Sequence, residues 1–428
     1  MDVTDAKTNL LDSFIYAAEM EINMKYLKYI LPVFILVLIL FLILKCPDPE
    51  QSAAPEKEIL SFETTICVAT DIHYIAPELT DDGKYFTELI ENADGKSMQY
   101  CEEITDAFVD EIIKINPEVL ILSGDLTFNG ARASHEGFSQ KLKSIEEAGT
   151  IVLVIPGNHD LYSRGAACFE GDGYTMVDNV SAEDFSQIYR DFGYDEALAR
   201  DDSSLSYITE LDSGVRVLMV DVNTKEAPGE LKGETLTWIK NQLLDAKKSG
   251  KQVLAVSHQN LIPHNPMFTD GFVIGQYEKL CELYEKYGVR CNLSGHMHIQ
   301  NIAESESGLK DIATSSLMVA PCQYGVIEFR GDKASYHTEK LDFEHSKDAE
   351  KFFKDTSTMM LKRSIAEPDK ELSNFFAEVN SAYFSGRKDT IKWNEKACEA
   401  ITQKAPFVGL YLQTVYDDGF RDDTRCEF

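Results

Sequence analysis

Short apolar runs that end abruptly in polar turns recur between residues 64 and 296 of the chain. Each run is nearly continuous and rich in β-branched residues, which is typical of strands covered on both faces. Stretches of helical periodicity, two of which end in a glycine, lie between several of these runs. This alternation predicts an α/β layered architecture. The predicted strands cover residues 64–73, 117–125, 150–160, 215–222, 251–258 and 289–296, and the predicted helices cover 102–115, 234–250 and 276–288.

The hydrophobic pattern changes after residue 306. Two further stretches, 311–321 and 323–343, have the composition of strands, and the second is predicted to form a hairpin. We expect these strands to form a second, smaller sheet that packs on the first. From residue 344 onward the pattern is amphipathic and helical. The sequence therefore predicts an α/β domain over 62–343 and a C-terminal helical subdomain over 344–428.

An apolar segment near the N-terminus stands apart from this pattern. Residues 30–44 form a continuous apolar run, and Lys25 and Lys28 precede it within a segment over 24–46. A spanning helix needs about 17 to 25 apolar residues, so this run lies at the short end of the range. We predict a signal anchor or transmembrane segment, with a cleaved signal peptide and a buried helix as alternatives. The positive-inside rule places the two lysines in the cytoplasm.

The flanks of this segment leave alternatives open. Residues 1–23 carry no targeting pattern and form an uncertain extension, since Met24 would be a natural start for a signal sequence. Residues 47–61 are polar and contain proline, as a linker does. Cys46 suggests a lipid anchor, but Lys45 stands where lipoprotein processing needs a small residue. We therefore predict a single-pass cell-membrane protein with its α/β domain outside the cell, and the alternative is a secreted or lipid-anchored protein.

Composition limits the classes of partner. The chain has 428 residues, 44% of them hydrophobic, which is enough for a large core and excludes a fibrous or disordered class. The formal net charge of −31 argues against a nucleic-acid backbone or an anionic membrane surface as partner. An acidic protein can still bind phosphate substrates where metal ions supply positive charge. The nine cysteines have no paired spacing and are interpreted as buried free thiols, although export would permit disulfides.

Aspartate, asparagine and histidine side chains, which can bind metal ions, lie at the ends of the predicted strands. In open α/β sheets, sites form just outside the carboxyl ends of the strands, so we expect these side chains to meet in one crevice. His296 and His298 are two positions apart in an extended segment, so both rings face the same side. Such nitrogen and oxygen donors suit Mn, Fe or Zn, and their number suits a two-metal site. The candidate ligands are Asp71, His73, Asp125, Asn158, His258, His296 and His298.

Five short motifs, taken in order, resemble those of the calcineurin-like metallophosphoesterases. They are D-I-H at 71–73, G-D-L-T-F-N-G at 124–130, G-N-H-D at 157–160, S-H at 257–258 and G-H-M-H at 295–298. The resemblance covers residues 64–300 and implies a two-sheet αββα sandwich that carries a di-metal centre. The segments ATDIHY (69–74) and LSGDLTFNG (122–130), together with a helical C-terminal region, resemble those of the bacterial cyclic-nucleotide phosphodiesterase-like branch.

The resemblance also implies a role for each candidate residue. Asp71, His73 and His298 would hold the first ion, and Asn158, His258 and His296 would hold the second. Asp125 would bridge the two ions through its two oxygens. A water shared between the ions would be hydroxide near neutral pH and would attack phosphorus. His159 would protonate the leaving oxygen, with Asp160 as its orienting carboxylate.

The predicted reaction is hydrolysis of a phosphodiester, with cyclic nucleotides among the candidate substrates. The alternatives are a phosphomonoesterase, such as a nucleotidase or a phosphoprotein phosphatase, and a non-catalytic binding module on the same fold. Asn129 is a candidate donor to the substrate phosphate or a plain turn residue. His264 is a rival to His258 as ligand, and otherwise a candidate substrate-pocket residue or a solvated loop histidine. His135 is interpreted as a surface residue.

Overall fold

The structure, a computed structural model, describes residues 63–331 and 333–428. The predicted N-terminal extension, signal anchor and linker all lie outside these residues. Within the described part of the chain, no helix has the length and apolar composition that a membrane crossing requires. The single-pass topology therefore stays a prediction.

The strands and helices of the described residues follow the predicted alternation. The strands are β1 Glu63–Ala69, β2 Val119–Leu122, β3 Ile151–Val154, β4 Ala167–Glu170, β5 Gly173–Met176, β6 Ala199–Arg200, β7 Tyr207–Glu210, β8 Arg216–Val220, β9 Val253–Ser257, β10 Cys291–Ser294, β11 Asn301–Glu304, β12 Lys310–Ala313, β13 Gln323–Arg330, β14 Lys333–Lys340 and β15 Arg425–Glu427. The α-helices are α1 Lys84–Glu91, α2 Cys101–Ile115, α3 Arg132–Glu147, α4 Ala182–Ile188, α5 Gly233–Lys248, α6 Tyr277–Tyr287, α7 Ser346–Ser364, α8 Lys370–Phe384, α9 Glu395–Lys404 and α10 Pro406–Asp417.

These strands form two large sheets and a separate β4–β5 hairpin. The first sheet has the order β15-β14-β13-β1-β2-β3, and the second has the order β11-β12-β10-β9-β8-β7-β6. β1, β2 and β3 are parallel to one another, as are β8, β9, β10 and β12. Both parallel blocks therefore direct the carboxyl ends of their strands to one edge, where α/β proteins form their sites.

The second sheet is buried on both faces, as its continuous apolar strands predict. Successive residues of β8 alternate between two cores because side chains of a strand point to opposite faces. Val217 and Met219 belong to the core shared with the first sheet, and Leu218 and Val220 belong to a core formed with α5 and α6. The arrangement is therefore α/β, with two sheets packed on each other and helices outside them.

The strands after residue 306 do not form a sheet of their own, so that prediction was wrong. β13 pairs antiparallel with β1, with Ile66 opposite Ile327, and carries β14 into the first sheet. β12 instead joins the second sheet beside β10, with Leu293 opposite Ile312. An alternating pattern identifies a strand but not its partner, because the partner lies far away in the sequence.

The C-terminal region contains the predicted helices but ends in a strand. Helices α7, α8, α9 and α10 share a hydrophobic core that also includes Met297 and Ile299, which follow β10. The final strand, β15, returns to the first sheet and pairs antiparallel with β14. The helical region therefore packs directly against the segment that carries His296 and His298.

Candidate metal centre

The loops that follow five strands converge on one point at the carboxyl edge of the sheets. Asp71 and His73 follow β1, Asp125 follows β2, Asn158 follows β3, His258 follows β9, and His296 and His298 follow β10. Five of these residues, all except Asn158 and His258, have positive φ angles between 46° and 68°. Such angles are uncommon outside glycine and persist where the surroundings fix them, often at functional sites.

Close contact between loops holds this geometry. The Asp71 and His73 amides donate to the carbonyls of Gly124 and Asp125, both at 3.0 Å, which joins the first two loops. The glycine of the G-N-H-D motif, Gly157, touches the second loop so closely that a Cβ there would lie 2.3 Å from the Asp125 nitrogen. This contact lets the His159 amide donate to Asp125 Oδ1 at 2.8 Å.

One group of ligand atoms comes from Asp71, His73, Asp125 and His298, and each atom lies within 4.8 Å of the others. His73 Nε2 and His298 Nε2 are 3.1 Å apart, and His298 Nε2 is 3.2 Å from Asp71 Oδ1. Asp71 Oδ1 is buried and accepts no hydrogen bond of normal geometry. Two ring nitrogens and a carboxylate oxygen that face one another at 3.1 to 3.2 Å fit the donor set of a bound transition-metal ion.

A second group comes from Asp125, His258 and His296 and obeys the same limit of 4.8 Å. His258 Nε2 lies 3.4 Å from Asp125 Oδ2 and 3.1 Å from Asn158 Oδ1, so the asparagine joins this group. Asp125 belongs to both groups, as a bridging carboxylate would. The seven predicted ligands are thus brought together, and their assignment as ligands stays a prediction.

Groups outside the two ligand sets orient the histidine rings. His298 Nδ1 lies 3.0 Å from Asp94 Oδ2, and Asp94 in turn pairs with Lys96 at 3.0 Å. His258 Nδ1 donates to the Ser123 carbonyl at 2.9 Å. Asp94 and Lys96 are not predicted from the sequence, because they lie in an ordinary polar turn between helices and belong to no motif. Carboxylate or carbonyl partners of this kind fix the tautomer of a metal-ligating histidine.

Burial and mutual charge shift the pKa values of these groups in opposite directions. Burial acts to lower the pKa of His298, but the Asp71 carboxylate outweighs it and raises the pKa to about 9. Burial likewise opposes the Asp125 carboxylate at His258, whose pKa also rises to about 9. His296 has its pKa lowered to about 4, first by burial and then by the charge on His258. Each buried carboxylate therefore demands a neighbouring positive charge, which a proton or a metal ion can supply.

His159 lies beside the ligand groups with its side chain 39% exposed. Its Nδ1 donates to the Phe128 carbonyl at 2.9 Å, and its Nε2 lies 3.9 Å from Asp125 Oδ2. The ring stands edge-on to His73 with centroids 5.0 Å apart. The partly exposed ring can therefore present Nε2 to a bound molecule while the Phe128 carbonyl fixes Nδ1.

Asp160 does not take the predicted position behind His159, because all its bonds go elsewhere. Its carboxylate accepts from the amides of Leu126, Thr127 and Gly157 at 2.8 to 3.0 Å, and from the Thr127 hydroxyl at 2.9 Å. Burial and then the Asp125 charge raise its pKa to about 6. Asp160 thus fastens the second loop to the third, and the Phe128 carbonyl orients His159.

Two other histidines lie away from their predicted positions. His264 is buried, with Nδ1 2.8 Å from Asn301 Oδ1 and Nε2 3.2 Å from Asp311 Oδ2, so it lines no substrate pocket and does not compete with His258. His135 is fully buried rather than at the surface, and its Nδ1 lies 3.0 Å from the Tyr189 hydroxyl. Burial lowers the His135 pKa to about 4, which keeps the ring neutral.

Asn129 lies near the centre, but its amide is already engaged. Its Nδ2 donates to the Ala167 carbonyl at 3.1 Å, and its Oδ1 accepts from the Ala131 amide at 3.4 Å. The side chain nevertheless lines a cavity that also contains His159. The structure therefore places it at the site as a turn residue, and contact with a substrate stays a prediction.

Two cavities meet at the centre, and Asn158 and His159 line both of them. One, of about 560 Å³, lies between the centre and helices α7, α8 and α10. The other, of about 690 Å³, lies beside the β4–β5 hairpin and includes Arg164 and Tyr174. A ligand held at the centre therefore has room for two substituents.

Comparison with known proteins identifies the family. The sequence model of the calcineurin-like phosphoesterases matches residues 64–300, more than half of the chain. The chain belongs to this family, which confirms the resemblance seen in the motifs.

Its relatives include proteins described as phosphodiesterases. A probable glycerophosphodiester phosphodiesterase of Arcobacter nitrofigilis is 27% identical over 190 residues, which are 44% of this chain and 58% of that protein. A probable cyclic nucleotide phosphodiesterase of Vesicomyosocius okutanii is 25% identical over 191 residues, or 44% of this chain and 66% of that protein. The alignments thus cover less than two thirds of these relatives. A dimetal phosphatase structure from Danio rerio, 14% identical, covers 65% of this chain and 97% of that one with a TM-score of 0.47.

Proposed function

We propose that this chain is a metal-dependent phosphodiesterase that holds two ions in the two ligand groups sharing Asp125. The observation that carries the proposal is the placement of both groups within 4.8 Å limits around one carboxylate. Membership of the calcineurin-like phosphoesterases supports phosphoester hydrolysis. The names of the similar proteins support a diester, either a glycerophosphodiester or a cyclic nucleotide.

A pair of ions at such a centre would acidify a water molecule and offset the charge on the phosphate oxygens. The chain itself would hold and complete this chemistry. Lys96 is buried, pairs with Asp94 at 3.0 Å and lines the cavity between the centre and helices α7, α8 and α10, so it would add positive charge near the substrate phosphate. In the hydrolysis, the water oxygen would join phosphorus and one ester P–O bond would break. The departing oxygen would take a proton from His159 Nε2, and the proton released by the water would restore it.

The two cavities favour a diester over a monoester. A phosphodiester carries two alcohol substituents on phosphorus, and a monoester carries one. Because both cavities are lined by Asn158 and His159, each could take one substituent while phosphorus lies at the centre. A phosphomonoesterase would leave one cavity without a function.

The test uses the full chain purified in detergent, with added manganese. Bound metal is measured first, and then hydrolysis of bis(4-nitrophenyl) phosphate is compared with that of 4-nitrophenyl phosphate. Asp125→Asn removes the charge shared by both groups, and Asp172→Asn is its matched control because that carboxylate is 84% exposed beside Lys84.

We expect about two bound ions, as in two-metal hydrolases, and faster turnover of the diester. Asp125→Asn should lose both metal and turnover, whereas Asp172→Asn should keep both. Turnover of the monoester alone would replace the diesterase by a phosphomonoesterase. Metal binding without hydrolysis of either ester would indicate a binding module, and failure to bind metal would overturn the proposal altogether.

A further inference from the structure

The cavity on the helix side of the centre has strongly apolar walls. Phe268 and Phe272 come from the segment before α6, Met297 and Ile299 come from the segment after β10, and Phe376 comes from α8. Phe272 also contacts the ligand group directly, since its ring centroid lies 5.2 Å from that of His296. The apolar surface is therefore continuous from the centre to the helical region.

Three polar side chains among these walls, those of Asn380, Tyr383 and Tyr411, are already engaged in hydrogen bonds. Asn380 donates to the Ser357 hydroxyl at 2.9 Å and accepts from the Tyr411 hydroxyl at 2.7 Å. The Tyr383 hydroxyl accepts from Asn265 at 3.0 Å. A sugar or nucleobase placed here would lose hydrogen bonds to water and find these partners occupied, which is costly for a buried polar group.

The charged side chains that line this cavity all lie at the end next to the metal centre. Asp94, Lys96 and the ligands Asn158, His296 and His298 line that end, and the helices line the other. The cavity thus separates a phosphate-binding end from an apolar end, and its volume of about 560 Å³ lies within the range of small-ligand pockets.

We propose that this cavity binds the apolar alcohol substituent of an amphiphilic phosphodiester, such as an ester of a long-chain alkyl alcohol. The inference rests on the proposed function, because the phosphate of the same molecule must lie at the metal centre. The second substituent then occupies the cavity beside the β4–β5 hairpin, where the exposed Arg164 offers a charged surface.

Helix α10 offers a matched pair of positions for a test. Phe407, in its first turn, lines the mouth of the cavity and is 71% exposed. Leu410, one turn later on the same helix, is 53% exposed and lies outside the cavity lining. Because both side chains are largely exposed, replacing either by aspartate should leave the fold intact.

The experiment measures kcat/KM of the full chain for methyl, butyl and octyl 4-nitrophenyl phosphodiesters, each below the concentration at which it aggregates. All three release the same chromogenic alcohol, so only the alkyl substituent changes. Burial of one methylene contributes about fourfold at most, so we expect the octyl ester to exceed the methyl ester by at least about tenfold. Phe407→Asp should lower the octyl-to-methyl ratio by about fivefold or more, and Leu410→Asp should not change it.

The methyl ester separates the two proposals. Equal kcat/KM for methyl and octyl esters, or an octyl-to-methyl ratio that both aspartate variants leave unchanged, would overturn the apolar assignment and leave the phosphodiesterase standing. No turnover of any of the three diesters in the metal-loaded chain would instead remove the proposed function.

Discussion

At the scale of single residues, the histidines of the centre use their two ring nitrogens for different tasks. His298 presents Nε2 to Asp71 and bonds Asp94 through Nδ1, and His258 presents Nε2 to Asp125 and bonds a carbonyl through Nδ1. A ring fixed at one nitrogen cannot rotate, so the other nitrogen stays aimed at the centre. The ligand geometry is therefore set before an ion binds.

His159→Ala should lower turnover by about 10²–10⁴-fold, the usual contribution of a general acid, and leave metal content unchanged. The reason is that its partly exposed ring lines both cavities at the centre, while its Nδ1 bonds a backbone carbonyl and not a ligand residue. The measurements are kcat on the diester and bound manganese. His345→Ala is the control, because that ring pairs with Glu103 at 2.7 Å, away from the centre. Unchanged kcat would exclude His159 from the mechanism.

Asp94→Asn should weaken metal binding by about 10- to 100-fold, the typical cost of losing a carboxylate behind a ligating histidine. Asparagine keeps the size of the side chain but removes the charge that Asp94 places 3.0 Å from His298 Nδ1. Titration calorimetry with manganese measures the affinity. The exposed Asp172→Asn should bind normally. Equal manganese affinity in the two variants would mean that Asp94 stabilises only its own loop and does not orient His298.

The residues predicted from compact motifs at strand ends are those that the structure brings together at the centre. The sequence could not place Asp160, His264 or His135, because their partners are distant: His264 contacts residues 37 and 47 positions away, and His135 contacts Tyr189, 54 positions away. Polar neighbours in sequence suggested exposed histidines, and the tertiary structure buried them. Asp94 was missed for the converse reason, since a carboxylate in an ordinary turn gives no signal until His298 packs against it.

At the scale of elements, the helical wall of the apolar cavity depends on one close crossing. Gly409 of α10 packs against α9, where a Cβ would lie 2.7 Å from the Thr402 Cα atom. A flexible side chain could move away from a contact this short, but the backbone of α9 could move only if the whole helix shifted. The crossing therefore fixes how far α10, with Phe407 and Tyr411, lies from the centre.

Gly409→Ala should destabilise the protein by about 1–3 kcal/mol, the usual cost of overpacking, although alanine favours helices by about 1 kcal/mol. Gly233→Ala at the start of α5 is the control, because its Cβ would meet nothing within 4 Å. That change should be neutral or slightly stabilising. Urea unfolding of the two variants gives the comparison, and equal stability would mean that α9 and α10 can separate at little cost.

The sequence could not show which of the two sheets a strand would join. The periodicity of residues 323–343 correctly indicated two strands in a hairpin. Their placement beside β1 depends on pairing with residues about 260 positions earlier, such as Ile66 with Ile327. The parallel strands were easier to place, since alternation with helices almost fixes their order.

At the scale of the whole molecule, metal binding and stability should be linked. Asp71 and Asp125 are almost completely buried, and two buried carboxylates are costly unless positive charge accompanies them. An ion that binds only the folded chain stabilises it by about 2.7 kcal/mol at a concentration of 100 times its Kd.

Removal of metal by a chelator should therefore lower the melting temperature by a few degrees, and manganese should restore it. Asp125→Asn should abolish most of this difference because both ligand groups use Asp125, whereas His73→Ala should remove about half of it, by loss of one site. Differential scanning calorimetry with and without manganese gives these increments. If the melting temperature of the wild-type protein is the same with and without manganese, metal binding and stability are not linked.

Because the last strand returns to the first sheet, the helical region is an insertion between two paired strands of that sheet. β14 ends at Lys340 and β15 begins at Arg425, with Tyr336 opposite Cys426, so residues 341–424 leave the sheet and come back to the same edge. In effect they are one very long hairpin connection. The sequence of such a connection can vary without changing the register of β14 and β15, provided that its core still packs behind Met297 and Ile299. The walls of the cavity beside the helices can thus diverge through this segment while the ligand-bearing loops after β1, β2, β3 and β9 stay the same.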